Sequence, residues 1–200
     1  MRHRIFHLDL EGPFPDKWQL AGFAMGCFWG AERLFWQTPG VKMTAVGYCG
    51  GRTPSPTYEN VCTGQTGHAE TVRIHYAPDE ISFDKLVKIF FENHDPTQYH
   101  RQGNDIGSQY RSVIFYTNEH QRKTAEKMWI GYDRLMTLHG FGPVQTEIEP
   151  LTNFFLAEAN HQQYLAQNPN GYCGLGGTGV NCPLPEDVPA SGQQYNQSNA

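Results

Sequence analysis

The sequence predicts an α+β fold, a two-layer sandwich in which helices pack on one mixed, mainly antiparallel sheet. Three observations carry that reading. Strand-like and helix-like stretches alternate, and several connections are short enough for antiparallel pairing. The 200 residues, 38% of them hydrophobic, suffice for one domain with a substantial core. No internal repeat and no second domain stand out.

The elements follow in order. Residues 1–18 read as an irregular arm, because Pro13 and Pro15 block regular structure. Leu20 to Met25 is an apolar run that reads as a buried strand. A helix follows, with Leu34 and Phe35 on one side and Glu32 and Arg33 on another, closed by Thr38-Pro39-Gly40. Val41 to Tyr48 is a second strand. The glycines and prolines of Cys49 to Pro56 make a loop that delivers Tyr58, and Thr63 to Gly67 is a turn. In a third strand, His68 to Tyr76, residues Val72, Ile74 and Tyr76 share one face and Thr71, Arg73 and His75 the other.

Asp79 to Asn93 is the clearest helix, with Ser82 as N-cap. Residues 95–109 form a polar loop whose length points to function. Tyr110 to Thr117 is a fourth strand. Asn118 caps a long helix to about His139, Val144 to Ile148 is a short strand, and Phe154 to Gln167 is helical in part. From Asn168 the chain becomes a glycine-rich coil around Cys173 and before Cys182, and residues 183–200 are a polar tail. The expected whole is a ferredoxin-like sandwich. It has an arm at 1–18, a domain carrying the chemistry at 19–170 and a flexible segment at 171–200.

Composition limits the function. A net charge of −5 leaves no nucleic-acid footprint. No apolar run approaches the roughly 18–20 residues that span a bilayer. The N-terminus lacks the apolar core of a signal peptide, so a cytoplasmic location is expected. Five cysteines, an odd and scattered set, argue against a disulfide frame and favour metal or redox chemistry, and the lack of a Cys-x-x-Cys pair argues against a zinc ribbon.

Cys27 stands where the first strand ends and a helix begins. Unpaired N–H groups and the helix dipole favour a thiolate there, and the thiolate is the reactive form. Phe28 and Trp29 can wall a small apolar pocket beside the sulfur. The competing reading of Cys27 is an inert core cysteine. Cys173 and Cys182 sit on the glycine-rich segment, where a mobile arm could bring a thiol to a distant sulfur. Both could equally be incidental to a loose tail.

Gly26-Cys27-Phe28-Trp29-Gly30-Ala31-Glu32-Arg33 resembles the signature of the type A peptide methionine sulfoxide reductases. So do Gly67-His68-Ala69-Glu70, Gln102 through Ser112, His161-Gln162-Gln163-Tyr164 and Gly171-Tyr172-Cys173-Gly174. The similarity runs over residues 20–182 in order. It implies reduction of the S epimer of methionine sulfoxide, free or in peptides, with Cys27 as nucleophile passing through a sulfenic acid. It implies Glu70 as the acid, Tyr58 and Tyr110 as phenols bonded to the sulfoxide oxygen, and Asp105 as a carboxylate ordering the site. Phe28 and Trp29 match the cage around the S-methyl group. Cys173 would resolve the sulfenic acid, and Cys182 would take over the disulfide for thioredoxin to reduce. No metal or organic cofactor is implied, and a monomer is expected.

Some residues stand apart from that pattern. Cys49 replaces an alanine usual in the family, Cys62 reads as an ordinary buried cysteine, His68 as structural, and His161 has no assigned role. Two other classes remain at this point: a cysteine-nucleophile hydrolase, and a non-catalytic thiol redox switch or metal-binding module.

Overall fold

The computed structural model describes residues 1–188 of the chain; the end of the expected polar tail, 189–200, lies outside them. The chain runs through β1 (Gln19–Met25), α1 (Phe28–Trp36), β2 (Val41–Cys49), α2 (Tyr58–Cys62), β3 (Ala69–Tyr76) and α3 (Phe83–Glu92). It continues through β4 (Arg101–Gln102), β5 (Asp105–Ile106), β6 (Ser112–Tyr116), α4 (Glu119–Leu138), β7 (Glu147–Pro150), β8 (Phe155–Leu156) and α5 (Tyr164–Gln167). Six strands form one sheet in the order β7-β6-β1-β3-β2-β8. All neighbours are antiparallel except β6 and β7. Strands β4 and β5 make a separate small hairpin.

One face of the sheet holds the main core. Alternation along β1, β2 and β3 sends Phe23, Met25, Val46, Tyr48, Val72 and Ile74 to that face. There they meet Phe35 of α1, Phe90 of α3, and Met128 and Tyr132 of α4. Each such fully buried side chain contributes about 1.5–3 kcal/mol by leaving water. Phe23 anchors the centre, stacked 4.9 Å from Phe35 and tilted against Phe90 at 5.5 Å. The other face is closed by coil. Leu10 from the arm covers Met43 and Ala45, and Leu151 and Phe154 cover Ala24, Cys49 and Phe115. The arm is thus irregular, as expected, but its His3 and Leu10 are fully buried.

Several boundaries differ from the sequence reading. The α3 helix starts at Phe83, after Ser82, whose side chain makes no capping bond. Tyr110 is not in a strand; it ends a 3-10 turn, Ser108–Tyr110, before β6. The short strand expected at Val144 to Ile148 is β7, displaced to Glu147–Pro150. Helix α2 was not anticipated; Thr57 caps it by accepting the Asn60 N–H.

Most of 154–167 is not helical. Gln162 explains why: its side-chain amide accepts the Val46 N–H at 3.0 Å and donates to the Val46 carbonyl at 2.8 Å, pairing with β2 as a strand would. The polar loop 95–109 is likewise organised by a side-chain amide. Gln102 accepts from the Asp95 N–H and donates to the Asp95 carbonyl. The described part of the glycine-rich segment lies against the body, with Val180 and Cys182 buried. At Gly177 any Cβ would collide with the Glu92 carbonyl at the end of α3, so only glycine permits that approach.

Candidate active site

Cys27 occupies the N-cap of α1, where β1 gives way to the helix. Gly26 makes the bend with φ +96, and a Cβ there would lie 2.8 Å from Gln102. The thiol is half-buried. Burial, followed by the charge of Glu70 where that carboxyl is ionised, pushes it up; the Trp29 N–H pulls the other way, Asp105 adds to the rise, and the Gly30 N–H opposes it. This corrects the expectation of a thiolate stabilised by the helix start. The N–H groups act in the expected direction, but dehydration outweighs them, and the resting thiol keeps its proton.

Glu70 lies on β3 directly opposite Tyr48 of β2 and shares the core face with Val72. It is 2% exposed. Its Oε2 accepts the Phe28 N–H at 3.0 Å, which ties the carboxyl to the first turn of α1. Burial pushes it up to about 8, against that hydrogen bond and with Asp105 adding to the rise. At neutral pH Glu70 is therefore mostly a neutral carboxylic acid.

The two phenols belong to the same group. Tyr58 opens α2, its backbone N–H bonded to Glu158 Oε1 at 2.8 Å. Tyr110 ends the 3-10 turn after β5. Burial pushes both phenols up; contact with Cys62 adds to the rise at Tyr58, and Glu70 does so for both. Both remain protonated donors. Asp105 on β5 accepts the Tyr172 hydroxyl at 3.0 Å. Among the described residues, no group of three His, Cys, Asp or Glu side chains is arranged to hold a metal ion.

The aromatic residues make a connected wall. Phe28 is fully buried, 6.0 Å from the Tyr48 ring and 5.4 Å from His161. Trp29 stacks on Tyr164 at 3.9 Å, and its Nε1–H donates to His161 Nδ1 at 3.1 Å. His161 also packs 4.5 Å from Tyr58. Burial pushes His161 down, Glu158 opposing, which suits an imidazole that must accept. The sequence reading left His161 without a role. Its ring joins Phe28, Trp29 and Tyr58, and the only signal for it was the His161-Gln162-Gln163-Tyr164 motif.

The cysteines divide. All five are unpaired. Cys173 Sγ rests over Gly30 in the first turn of α1, where a Cβ on Gly30 would come within 2.9 Å of the sulfur. Cys182 is fully buried away from this group: its N–H bonds Glu92 Oε1 at 2.9 Å, and its carbonyl accepts from Lys88 Nζ at 2.5 Å. Cys49 is a small buried residue on β2. Cys62, expected to be buried, is exposed at the end of α2, one turn beyond Tyr58. A helix so short shields only its inner face, and there Val61 takes the buried position. His68 is structural, as read: Nδ1 accepts the Gly51 N–H and Nε2 meets the Thr53 carbonyl, which fixes the loop leading to Tyr58.

A buried neutral acid, two phenols, a thiol and an aromatic wall therefore converge on one small region. Such an arrangement can protonate an oxygen while sulfur is attacked. The family model described as peptide methionine sulfoxide reductase matches residues 19–180. The peptide methionine sulfoxide reductase MsrA of Azorhizobium caulinodans is 55% identical over 188 residues, covering 94% of this chain and 86% of that protein. That of Brucella anthropi is 58% identical over 183 residues, covering 92% and 84%. Among solved structures, methionine sulfoxide reductase A of Corynebacterium diphtheriae superposes with a TM-score of 0.82 at 42% identity, covering 92% of this chain and 89% of that one.

Proposed function

The chain belongs to the peptide methionine sulfoxide reductase family, and from that premise we propose how this site reduces methionine sulfoxide to methionine. The observation that carries the reading is Glu70, buried, held by the Phe28 N–H and protonated at neutral pH beside the Cys27 thiol. A sulfoxide oxygen leaves only when protonated or strongly hydrogen-bonded. With Oε2 engaged by Phe28, Oε1 carries the proton toward that oxygen, and the Tyr58 and Tyr110 hydroxyls donate to it. Cys27 sulfur attacks, the S=O bond breaks, and the oxygen ends on Cys27 as a sulfenic acid. Methionine sulfur gains two electrons and Cys27 sulfur loses two. The thiol proton replaces the one that Glu70 gave up, so no proton is consumed overall.

Phe28 and Trp29 wall the substrate methyl group, which leaves room for the S epimer with its oxygen toward Glu70. Asp105 helps order the site through Tyr172. Cys173, already over the first turn of α1, attacks the sulfenic sulfur. A Cys27–Cys173 disulfide forms and water leaves. Cys182 then attacks Cys173, freeing the Cys27 thiol and giving a Cys173–Cys182 disulfide. Thioredoxin reduces that disulfide by the same exchange. Because Cys182 is buried against α3, the glycine-rich part of 171–200 moves in this step, while 19–170 holds the catalytic groups and 1–18 remains an arm. No metal or organic cofactor enters the scheme. The protein acts as a monomer in the cytoplasm. The fold reads as ferredoxin-like: the segments β1-α1-β2-β3-α3-β6 lie in the sheet order β6-β1-β3-β2, which supports that reading.

The deciding experiment is a thioredoxin-coupled assay on peptides carrying each sulfoxide epimer. Turnover of the S epimer alone is expected. Equal turnover of both epimers overturns the placement of the methyl wall, and turnover by Cys27→Ser overturns the nucleophile.

A further inference from the structure

The amino-terminal arm lies outside the stretch matched by the family model, yet it is bonded into the layer beneath the site. His3 is fully buried. Its Nδ1 accepts the backbone N–H groups of Ile5 at 3.0 Å and Phe6 at 3.1 Å, which puts the ring proton on Nε2. Nε2–H then donates to Thr44 Oγ1 at 2.8 Å, and the Thr44 hydroxyl donates to Glu32 Oε1 at 2.9 Å. Glu32 belongs to α1, the helix that Cys27 caps, and has no exposed surface.

Glu32 passes the connection on to Gln163. Its Oε2 accepts the Gln163 backbone N–H at 2.7 Å and its Oε1 accepts Gln163 Nε2 at 2.7 Å. Gln163 Oε1 in turn accepts the Arg4 N–H at 3.2 Å, so the arm reaches this residue by two routes. Gln163 has φ 49 and ψ 43, in the left-handed region. Among the described residues it is the buried one of the four non-glycine residues with positive φ. A residue with a Cβ stays in that conformation only when its surroundings hold it there. On either side of Gln163 stand His161 and Tyr164, the two rings that pack on Trp29.

We infer that His3, acting through Thr44 and Glu32, is a positioning residue for Trp29: the arm holds Gln163 in its strained turn, and that turn holds His161 and Tyr164 against the indole. The link to catalysis rests on the reading of Trp29 as part of the wall for the substrate methyl group. The link to geometry does not.

The test uses the full chain with His3→Ala, His3→Gln and Thr44→Val. For each, the thermal transition, the kcat and KM for a methionine sulfoxide peptide, and the nuclear magnetic resonance signal of the Trp29 indole N–H are measured. For His3→Ala and Thr44→Val the expected result is cooperative unfolding, KM raised about fivefold from the loss of one positioning hydrogen bond, and kcat within about twofold. The Trp29 indole signal moves in both. His3→Gln keeps an N–H donor near the position of Nε2 and recovers part of the loss, which a general loosening of the fold would not do. If His3→Ala does not fold, Thr44→Val carries the test, because the arm is unaltered in it. A folded variant with wild-type KM and an unmoved indole signal overturns the inference. If the wild-type protein reduces no sulfoxide, the methyl-wall reading fails, and the indole signal alone still decides whether the arm positions Trp29.

Discussion

Glu70→Gln tests the proposed chemistry most directly. The amide has the shape of the acid, and its carbonyl oxygen can still accept the Phe28 N–H that holds Glu70 Oε2 at 3.0 Å. What it lacks is a transferable proton. A positioned general acid contributes about 10²- to 10⁴-fold. Tyr58 and Tyr110 still donate to the oxygen, so the lower part of that range, about 10²- to 10³-fold, is expected for the chemical step. The pH dependence separates loss of a proton from loss of fit. With Glu70 at about 8, about nine tenths of the carboxyl is protonated at pH 7 and about one tenth at pH 9. The wild-type single-turnover rate of methionine release should fall toward tenfold per pH unit above 8. Glu70→Gln should be slow and flat across the same range, with substrate affinity little changed. A variant within threefold of wild type at pH 7, or one retaining the wild-type fall above pH 8, refutes the acid role.

Other outcomes follow from the same structure. Cys27→Ser abolishes sulfoxide reduction, and Cys173→Ser completes one turnover and stalls as a sulfenic acid, seen by mass spectrometry and dimedone trapping; multiple turnovers by either variant with thioredoxin contradict the relay. His161→Ala leaves the Trp29 indole N–H without its acceptor and should raise KM several-fold with a smaller change in kcat, about the cost of one net hydrogen bond; the reverse split counts against the wall. Gly26→Ala combines φ +96 with a close approach to Gln102 and should cost about 1–3 kcal/mol in denaturant unfolding; an unchanged midpoint refutes the strain. For Glu70 the folded value of about 8 exceeds the reference 4.5, so its stability contribution is full below pH 4.5 and is lost as pH rises through 8. The Tm of Glu70→Gln relative to wild type should therefore increase from pH 5 to pH 8, and a constant difference contradicts the buried ionisation.

The sequence made β1, β2 and β3 legible as short apolar stretches bounded by turn residues, and α1, α3 and α4 by the helical spacing of the apolar residues they set against the same core. Residues 154–167 were not, because side chains build the backbone pairing there. Nothing in the residue type of Gln162 says that its amide will pair with Val46. Helix α2 has too few residues to show a period. Within the candidate site, Cys27, Phe28, Trp29 and Glu70 lie in contiguous motifs, and the fold brings them together. His161 was visible only as a motif residue, since its function lies in the neighbours of its ring. The state of Cys27 could not be read from its place on a helix. It is set chiefly by burial, and a carboxyl that the fold brings from another strand adds to the rise once it ionises. Cys62 was misplaced because residue type alone suggested burial, whereas exposure there depends on the length of α2.

Phe28 contributes twice, and its two contributions differ in heritability. Its ring forms wall, and its backbone N–H fixes Glu70. Any substitution at position 28 other than proline retains the N–H. The tether of the proposed acid therefore survives ordinary substitution at position 28, whereas the ring that the proposed mechanism sets beside the substrate methyl group does not. Because the Phe28 ring is fully buried in the core, a library aimed at bulkier sulfoxides under the proposed reading belongs at the half-buried Trp29, with the Phe28 N–H left to hold Glu70.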